Sequence, residues 1–523
     1  MSIDGIRKPV SKNNKTNKEF VNLNKYPAYP QPNNRNAKIT KRHPKKRLKI
    51  IPFLKKFFYI LLVFLILVFL FLGIYFVWKI NKTGNKIIIR SSNKTETGSS
   101  FSQIISNFSN SDVKLRGEKR GRINVLLLGI AGNGNAGGNL TDTIMIASID
   151  TKNNKIALLS LPRDLYIKIP NTSYQTKINA VYKIDLKNNK DISYLKNTIK
   201  NITGLTVDYY IVANFSGFEK FVDIIGGINI DVKRDIYDPH YPGPNYSYEL
   251  FEIKKGFHKM DGSTALKYAR ERHNDPEGDF GRAKRQQQVL QAIKNKLFST
   301  QIIFNPFKLN ALLNNLERNI KTDASLAEIK SFLNLSKNID TQNITNVVVD
   351  AWNEDSLLKV SHVFTDSGRM FILVPRIGNY SEIRDLAKNI FNLDVIKKRN
   401  DKIKQENANI GIMNMSDDKS LGKKIQNLLQ NKLHFKNANI IKPKKIAKLS
   451  QTILIDLTEK QKPITLDELI KKLPAKLSTE LQKNVILDEH ENIRNCDILI
   501  ILGNDLINAY KYKEDSKRIN DLS

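Results

Sequence analysis

Two apolar stretches on either side of a glycine-rich loop decide the fold: Arg122-Ile-Asn-Val-Leu-Leu-Leu-Gly-Ile130 and Thr143-Ile-Met-Ile-Ala-Ser-Ile149. Each is a short run of mostly aliphatic residues, which is the pattern of a buried strand. A third run, Lys155-Ile-Ala-Leu-Leu-Ser-Leu161, ends at Pro162. The turn Lys152-Asn-Asn-Lys155 predicts that the second and third runs form a hairpin.

Helix and strand patterns alternate after this hairpin and predict a layered α/β domain with a central mixed sheet over residues 116–395. The predicted helices cover 192–202, 215–225, 261–270 and 281–298, and the predicted strands cover 209–213 and 228–232. Near residue 405 the pattern restarts, with strands predicted at 408–414, 453–456 and 497–502 and a helix at 419–431. Residues 405–505 are therefore expected to form a second, small α/β domain.

Residues 57–78 form an apolar segment without a charge. As a helix these 22 residues would extend about 33 Å, which is enough to cross a hydrocarbon core of about 30 Å. The segment is longer than the apolar region of a cleavable signal peptide, and no A-x-A-like cleavage site follows it. The sequence predicts a single retained transmembrane helix.

Basic residues flank this segment unequally. Residues 41–56 contain eight Lys and Arg and no acid, whereas residues 79–90 contain four Lys and Arg. The positive-inside bias then predicts a single-pass protein of the cell membrane with a cytoplasmic N-terminus and an extracellular remainder. Residues 1–56 are predicted to be a disordered basic tail, and residues 79–115 an extracellular polar linker.

The formal net charge of the chain is +34. The tail contributes 16 basic and two acidic residues, so most of the excess lies beyond it. This charge favours anionic partners such as wall polymers and lipid phosphates, although a general preference for lysine explains it equally well. The single cysteine, Cys496, excludes an internal disulfide framework and a Cys-based zinc site.

The loop Gly132-Asn-Gly-Asn-Ala-Gly137 matches the dinucleotide-binding pattern G-x-G-x-x-G. That pattern requires a helix directly after the loop, where the helix N-terminus meets the pyrophosphate. A strand is predicted here instead, and no Gly-Lys-Ser/Thr follows. A flexible loop beside an active site is the better interpretation.

Arginines recur beside carboxylates. Arg163 follows the third strand, and four more lie in a short later segment, at positions 270, 272, 282 and 285. A guanidinium group stays charged and can grip two oxygens of one phosphate, so an oxyanion site is one interpretation of the pattern. Arg270 and Arg272 are expected to point to one side of an extended segment. Surface salt bridges to Glu271 and Asp279 are the alternative.

Seven separated segments carry a family resemblance. In chain order they are Asp142-Thr-Ile-Met-Ile-Ala-Ser-Ile149, Leu158-Leu-Ser-Leu-Pro-Arg-Asp164, Lys177-Ile-Asn-Ala180, Asp208-Tyr-Tyr210, Asp223-Ile-Ile-Gly-Gly-Ile228, Asp261-Gly-Ser-Thr-Ala-Leu-Lys-Tyr-Ala-Arg270 and Gly278-Asp-Phe-Gly-Arg-Ala-Lys-Arg-Gln-Gln-Gln288. Through these segments, residues 122–395 resemble the LytR-CpsA-Psr family of envelope proteins, also labelled cell-envelope-related transcriptional attenuator domains. Residues 408–503 resemble the smaller C-terminal domain that some members carry.

The resemblance implies a phosphotransferase that moves a glycopolymer from an undecaprenyl-pyrophosphate carrier to peptidoglycan. It implies that Asp142 holds Mg²⁺, that Asp279 orients an arginine or accepts the proton of the attacking hydroxyl, and that Gln286 contacts the lipid phosphate. The arginines implied to bind the pyrophosphate are Arg163, Arg270, Arg272 and Arg282. The expected partners are the polyprenyl lipid, an anionic glycopolymer, peptidoglycan and the membrane.

The sequence departs from the family pattern at two places. Ala131 stands where a carboxylate usually follows the first strand, and Leu140 stands where an arginine often precedes the metal-binding aspartate. The loop asparagines Asn133, Asn135 and Asn139 are candidates to compensate. These departures leave a second hypothesis open, a non-catalytic binder or a pyrophosphatase of polyprenyl-linked precursors.

A DNA-binding role is not expected, since the tail has no helix-turn-helix pattern. The Pro- and Tyr-rich segment 237–248 is a candidate for the mouth of the pocket.

Overall fold

The structure, a computed structural model, describes residues 113–512 except for 133–134, 136, 244–246, 273–274, 300–314, 316–318, 337–338, 353–354, 367, 443–447 and 479–494. All described residues belong to one compact unit of the chain, Phe69–Ser523. The predicted tail, the predicted transmembrane helix at 57–78 and most of the predicted linker lie outside the described residues. No helix within the described residues combines the length and the apolar character needed to cross a membrane.

The strands of the first part of the chain are β1 (Arg122–Ile130), β2 (Thr141–Asp150), β3 (Lys155–Ser160), β4 (Tyr166–Lys168), β5 (Gln175–Lys177), β6 (Tyr209–Asn214), β7 (Ile228–Val232), β8 (Ile236–Pro242), β9 (Tyr248–Ile253), β10 (Gly256–Met260), β11 (Ile320–Thr322), β12 (Asp340–Val348), β13 (Leu358–Thr365) and β14 (Gly368–Pro375). Six of them form a sheet in the order β11-β6-β1-β2-β3-β12. Strand β1 pairs antiparallel with β2 and parallel with β6. The predicted central mixed sheet is confirmed, as is the hairpin of β2 and β3.

The helices of this part are α1 (Val181–Lys187), α2 (Ser193–Thr203), α3 (Phe215–Ile224), α4 (Gly262–Arg270), α5 (Asp279–Ser299), α6 (Leu326–Ser336) and α7 (Ser381–Lys388). The predicted helices at 192–202, 215–225 and 261–270 match α2, α3 and α4 to within a residue, and the helix predicted at 281–298 begins two residues earlier. The hairpin of β8 with β9 and that of β13 with β14 were not predicted.

Strand β1 is buried on both faces because successive side chains point to opposite sides of a sheet. Leu126 and Leu128 pack into a large core with Ile146 of β2. Ile123 and Val125 pack on the other face. A separate core lies among β7 to β10 and helices α3 to α5. The aliphatic side chains of β1 therefore contribute to the cores on both faces of the sheet.

The remaining elements are α8 (Asp394–Glu406), β15 (Ile410–Asn414), α9 (Leu421–Asn431), β16 (Ala438–Ile441), β17 (Ile453–Asp456), α10 (Pro463–Lys472), β18 (Lys476–Ser478) and β19 (Ile498–Leu502). Their strands form a five-stranded sheet in the order β16-β15-β19-β17-β18. This part has its own core. It also contacts the preceding part, because Lys472 forms an ion pair with Asp385 of α7 at 3.0 Å.

One expectation about local structure was wrong. Arg270 and Arg272 do not lie on one extended segment, since Arg270 is the last residue of helix α4. The helix begins at an Asp261 cap, whose side chain accepts a hydrogen bond from the Thr264 N–H at 2.8 Å. The helix that this cap starts therefore continues through Arg270.

Substituting Gly281 with alanine should destabilise the fold. An added Cβ would overlap the Asp275 carboxylate, and such overpacking costs about 1–3 kcal/mol. Gly422 of α9 is the matched control, because a Cβ there would meet Asn414 only at an ordinary 3.4 Å. Alanine at position 422 should stabilise the helix by about 0.5–1 kcal/mol. Urea unfolding of the purified chain measures the free energy of unfolding of both variants. Equal changes in this free energy for the two variants would contradict the close packing at Gly281.

Candidate active site

A cavity of about 320 Å³ lies at the carboxyl ends of β1 and β6. These strands are parallel neighbours, so their carboxyl ends meet at one edge of the sheet, where the antiparallel β2 begins. Helices α3, α4 and α5 and strand β8 form the other walls. The predicted site residues that line this cavity are Asp142, Arg163, Arg270, Arg272, Arg282 and Gln286.

Arg163 and Asp142 form one side of the cavity. The Arg163 Nη1 donates a hydrogen bond to Asp142 Oδ1 at 2.7 Å. Two further ion pairs continue from Arg163, and both share Asp164. Arg163 Nε lies 3.6 Å from Asp164 Oδ2, and Lys177 Nζ lies 2.6 Å from Asp164 Oδ1. This row of charges fixes the direction in which the Arg163 guanidinium faces.

The other arginines come from the opposite wall. Arg272 follows α4, and Arg282 lies in the first turns of α5 with only 7% of its surface exposed. Gln286, one turn further along α5, donates its side-chain N–H to the Ala269 carbonyl at 3.3 Å. Asp279 is the first residue of α5, and its side chain lies outside the described part of the structure.

Arg270 differs from its neighbours in how it is held. Its guanidinium carbon lies 4.3 Å from the centre of the Phe215 ring and 5.6 Å from the centre of the Tyr241 ring. Phe215 is fixed at the start of α3, since the side chain of Asn214 caps that helix through the Gly217 N–H. Both aromatic residues line the cavity. The predicted pocket mouth at 237–248 therefore contributes Tyr241 to the wall.

Arg285 does not line the cavity. It is buried behind the wall, where its Nε donates to the Tyr268 carbonyl at 3.0 Å and its Nη2 lies 3.2 Å from Glu271 Oε2. Its Nη1 pairs with Asp275, which also pairs with Arg234. These contacts tie α5 to Glu271 and Asp275, so Arg285 has a structural role.

Most of the remaining wall is apolar. It is lined by Leu127, Leu128, Ile211, Ala213, Phe215, Phe218, Leu266, Val289 and Leu290. Asp238, which lies within the candidate pocket mouth at 237–248, also lines the cavity, although it was not singled out in the sequence analysis. A site that joins cationic groups to an apolar wall suits an amphiphile with an anionic head.

The oxygen ligands of this cavity suit Mg²⁺ only if a bound phosphate supplies further oxygens. Among the described residues, no group of three or more His, Cys, Asp or Glu is placed to hold a metal ion. Mg²⁺ often takes one or two carboxylates, several waters and substrate phosphates, and Asp142 provides one such carboxylate. Of the loop asparagines, Asn135 donates its side-chain N–H to the Ala131 carbonyl at 3.0 Å, and Asn133 lies outside the described residues.

Residues 74–367 match the model of the LytR_cpsA_psr family. The regulatory protein MsrR of Staphylococcus aureus is 36% identical over 195 residues, which are 37% of this chain and 54% of MsrR. The polyisoprenyl-teichoic acid–peptidoglycan teichoic acid transferase TagU of Bacillus cereus is 31% identical over 218 residues, 41% of this chain and 66% of TagU. The chain thus spans about half to two thirds of these relatives. A crystal structure of Bacillus subtilis TagV is 23% identical, covers 51% of this chain and 96% of its own, and has a TM-score of 0.40.

The buried Arg285–Asp275 pair should make stability depend on acid pH. Burial alone would raise the pKa of Asp275, but hydrogen bonds from Arg234, a backbone N–H and Arg285 outweigh it and leave the pKa below its usual value. The stabilisation is therefore present above the unfolded pKa of about 3.9 and is lost as the pH falls through the lower folded value.

Asp275→Asn should cost about 3 kcal/mol at neutral pH, since it leaves buried cations incompletely paired. In this variant the urea concentration at the midpoint of unfolding should also fall less steeply as the pH is lowered. Asp355→Asn, at a position whose side chain is 90% exposed, is the control. A wild-type acid profile in Asp275→Asn would contradict the role given to the pair.

Proposed function

Because the chain belongs to the LytR_cpsA_psr family, we propose that it transfers a cell-wall glycopolymer from a polyprenyl-diphosphate lipid to peptidoglycan. The observation that carries the proposal is the meeting of Arg163, Arg270, Arg272 and Arg282 in one cavity with an apolar wall. The name of the Bacillus cereus relative, a teichoic acid transferase, supports the same class of reaction.

The cavity suits both ends of such a lipid. The guanidinium groups would bind the diphosphate oxygens through charge-assisted hydrogen bonds, which are the strong ones in proteins. The aliphatic and aromatic wall would take the prenyl chain, whose burial is favourable by about 25 cal/mol per Å² of apolar surface. The predicted transmembrane helix at 57–78 would keep this cavity near the membrane that holds the lipid.

In the proposed reaction a hydroxyl oxygen of peptidoglycan forms a bond to the polymer-side phosphorus. The bond from that phosphorus to the bridging oxygen breaks, and prenyl phosphate leaves with the bridging oxygen. The hydroxyl proton passes to a base, for which Asp279 is the proposed residue. Arginines aimed at the equatorial and leaving oxygens would stabilise the charge that develops there.

Asp142 is the proposed ligand of Mg²⁺. The ion would supply Lewis-acid stabilisation of the phosphate oxygens when it is bound. Arg163 holds one Asp142 oxygen at 2.7 Å and would thereby aim the carboxylate at the same diphosphate that it grips. Gln286 would contact the lipid phosphate from α5.

A non-catalytic binder of polyprenyl-linked precursors is the second candidate. It is favoured by Ala131, which leaves no carboxylate at the end of β1, and by the single predicted metal ligand. Turnover of a polyprenyl-diphosphate donor, followed with and without Mg²⁺ and with and without a peptidoglycan acceptor, separates the candidates. A transferase releases prenyl phosphate only with the acceptor, a pyrophosphatase releases it without, and a binder releases none.

Arg163→Ala and Arg282→Ala should each lower the transfer rate by about a hundredfold or more. A single arginine contributes about 10³–10⁵ in rate at other phosphoryl-transfer sites, and we expect less here because several share the charge. The assay follows polymer joined to peptidoglycan, with thermal unfolding as the check on folding. Arg384→Ala, whose side chain bonds the Asn201 carbonyl at 2.9 Å away from the cavity, is the control. Wild-type rates in either cavity variant would overturn the arginine site.

A further inference from the structure

Two aromatic rings take the place that a carboxylate usually fills beside an arginine. Within the described residues, Arg270 forms no ion pair and contacts the rings of Phe215 and Tyr241, at 4.3 Å and 5.6 Å from their centres. Both distances lie within the roughly 6 Å over which a ring face attracts a guanidinium group. We infer that Phe215 and Tyr241 are positioning residues that hold Arg270 for an oxyanion without neutralising its charge. This inference rests on the proposed function.

The packing of α3 against α4 brings the three side chains together. Gly262, at the start of α4, donates its N–H to Asp223 Oδ1 near the end of α3 at 2.7 Å. A Cβ on Gly262 would overlap the backbone at Glu219, so the absence of a side chain permits this close crossing. The helices are thereby antiparallel, and the end of α4 with Arg270 reaches the start of α3 with Phe215.

Arg270 differs from Arg163 and Arg285 in its contacts, and this difference determines what it can offer a ligand. Arg163 shares its charge with Asp142 at 2.7 Å, and Arg285 is paired with two buried carboxylates. A ring face attracts a cation but accepts none of its N–H groups in the manner of a carboxylate. Arg270 thus keeps its hydrogen-bond donors for a ligand. The Glu219 carboxylate attracts it electrostatically but forms no ion pair with it among the described residues.

The ring of Tyr241, rather than its hydroxyl group, performs this task. Tyr241 is only 1% exposed, and its hydroxyl oxygen has no hydrogen-bond partner among the described residues. Burial raises the pKa of Tyr241 to about 12, against the opposing effect of Arg270, so the hydroxyl is neutral at physiological pH. Removing that hydroxyl should leave the contact between the ring and Arg270 intact.

Farnesyl diphosphate binding to the purified full chain, measured by titration calorimetry, tests the inference. Phe215→Leu and Tyr241→Leu should each weaken binding about five- to thirtyfold, the range for a desolvated cation–π contact. Tyr241→Phe, which keeps the ring, should stay within about twofold of wild type by the same reasoning. Phe364→Leu, at an 84% exposed position of β13, is the control for a lost surface aromatic.

A double-mutant cycle separates positioning from a general effect on folding. In an Arg270→Gln background, adding Phe215→Leu should change the affinity less than about twofold, because the partner that it positions is gone. Leucine variants that bind as wild type, a Tyr241→Phe variant as weak as Tyr241→Leu, or a full Phe215→Leu effect in the Arg270→Gln background would each overturn the inference. Undiminished binding in Arg270→Gln alone would instead count against the proposed arginine site.

Discussion

Gathering several guanidinium groups in one partly apolar cavity is the constraint on which the rest of the structure depends. Like charges repel, and the repulsion grows where the walls exclude water. Three of these cations are therefore held by separate elements and separate contacts. Arg163 follows β3 and bonds Asp142, Arg270 ends α4 against two rings, and Arg282 is buried in α5. An anion that entered would relieve the repulsion and engage them together.

The sheet order makes this convergence possible. Because β1 is parallel to β6 and antiparallel to β2, one edge of the sheet collects the ends of β1 and β6 and the beginning of β2. The three helices that follow in the chain, α3 to α5, then close the cavity with their own core. Gly262 and Gly281 allow the close approaches that this closure requires. The architecture thus accounts for a site whose residues are more than a hundred positions apart in sequence.

The sequence predicted the central strands, the β2–β3 hairpin and helices α2 to α4 well, because aliphatic runs and caps are local signals. It also selected Asp142, Arg163 and Arg282 through motif resemblance, and the structure brings them to one cavity; their roles remain predictions. The spacing of the arginines alone did not separate Arg285 from its neighbours. The family resemblance left Arg285 out of the implied ligands, and its burial against Asp275 and Glu271 gives the physical reason. Phe215 was not selected, and Tyr241 was included only as part of the candidate pocket mouth at 237–248, since their meeting with Arg270 depends on helix packing. The interpretation of Arg270 and Arg272 as one extended segment was wrong because the Asp261 cap starts a helix that reaches Arg270.

The most direct measurement of the central claim is a crystal structure of the protein with a bound polyprenyl diphosphate. The account predicts phosphate oxygens about 2.7–2.9 Å from guanidinium nitrogens contributed by both walls, Arg163 on one side and Arg270 and Arg282 on the other. It also predicts the prenyl chain along the apolar wall formed by α3 and α5. A diphosphate bound outside this cavity, or one that contacts a single wall while the prenyl chain lies in solvent, would contradict the account.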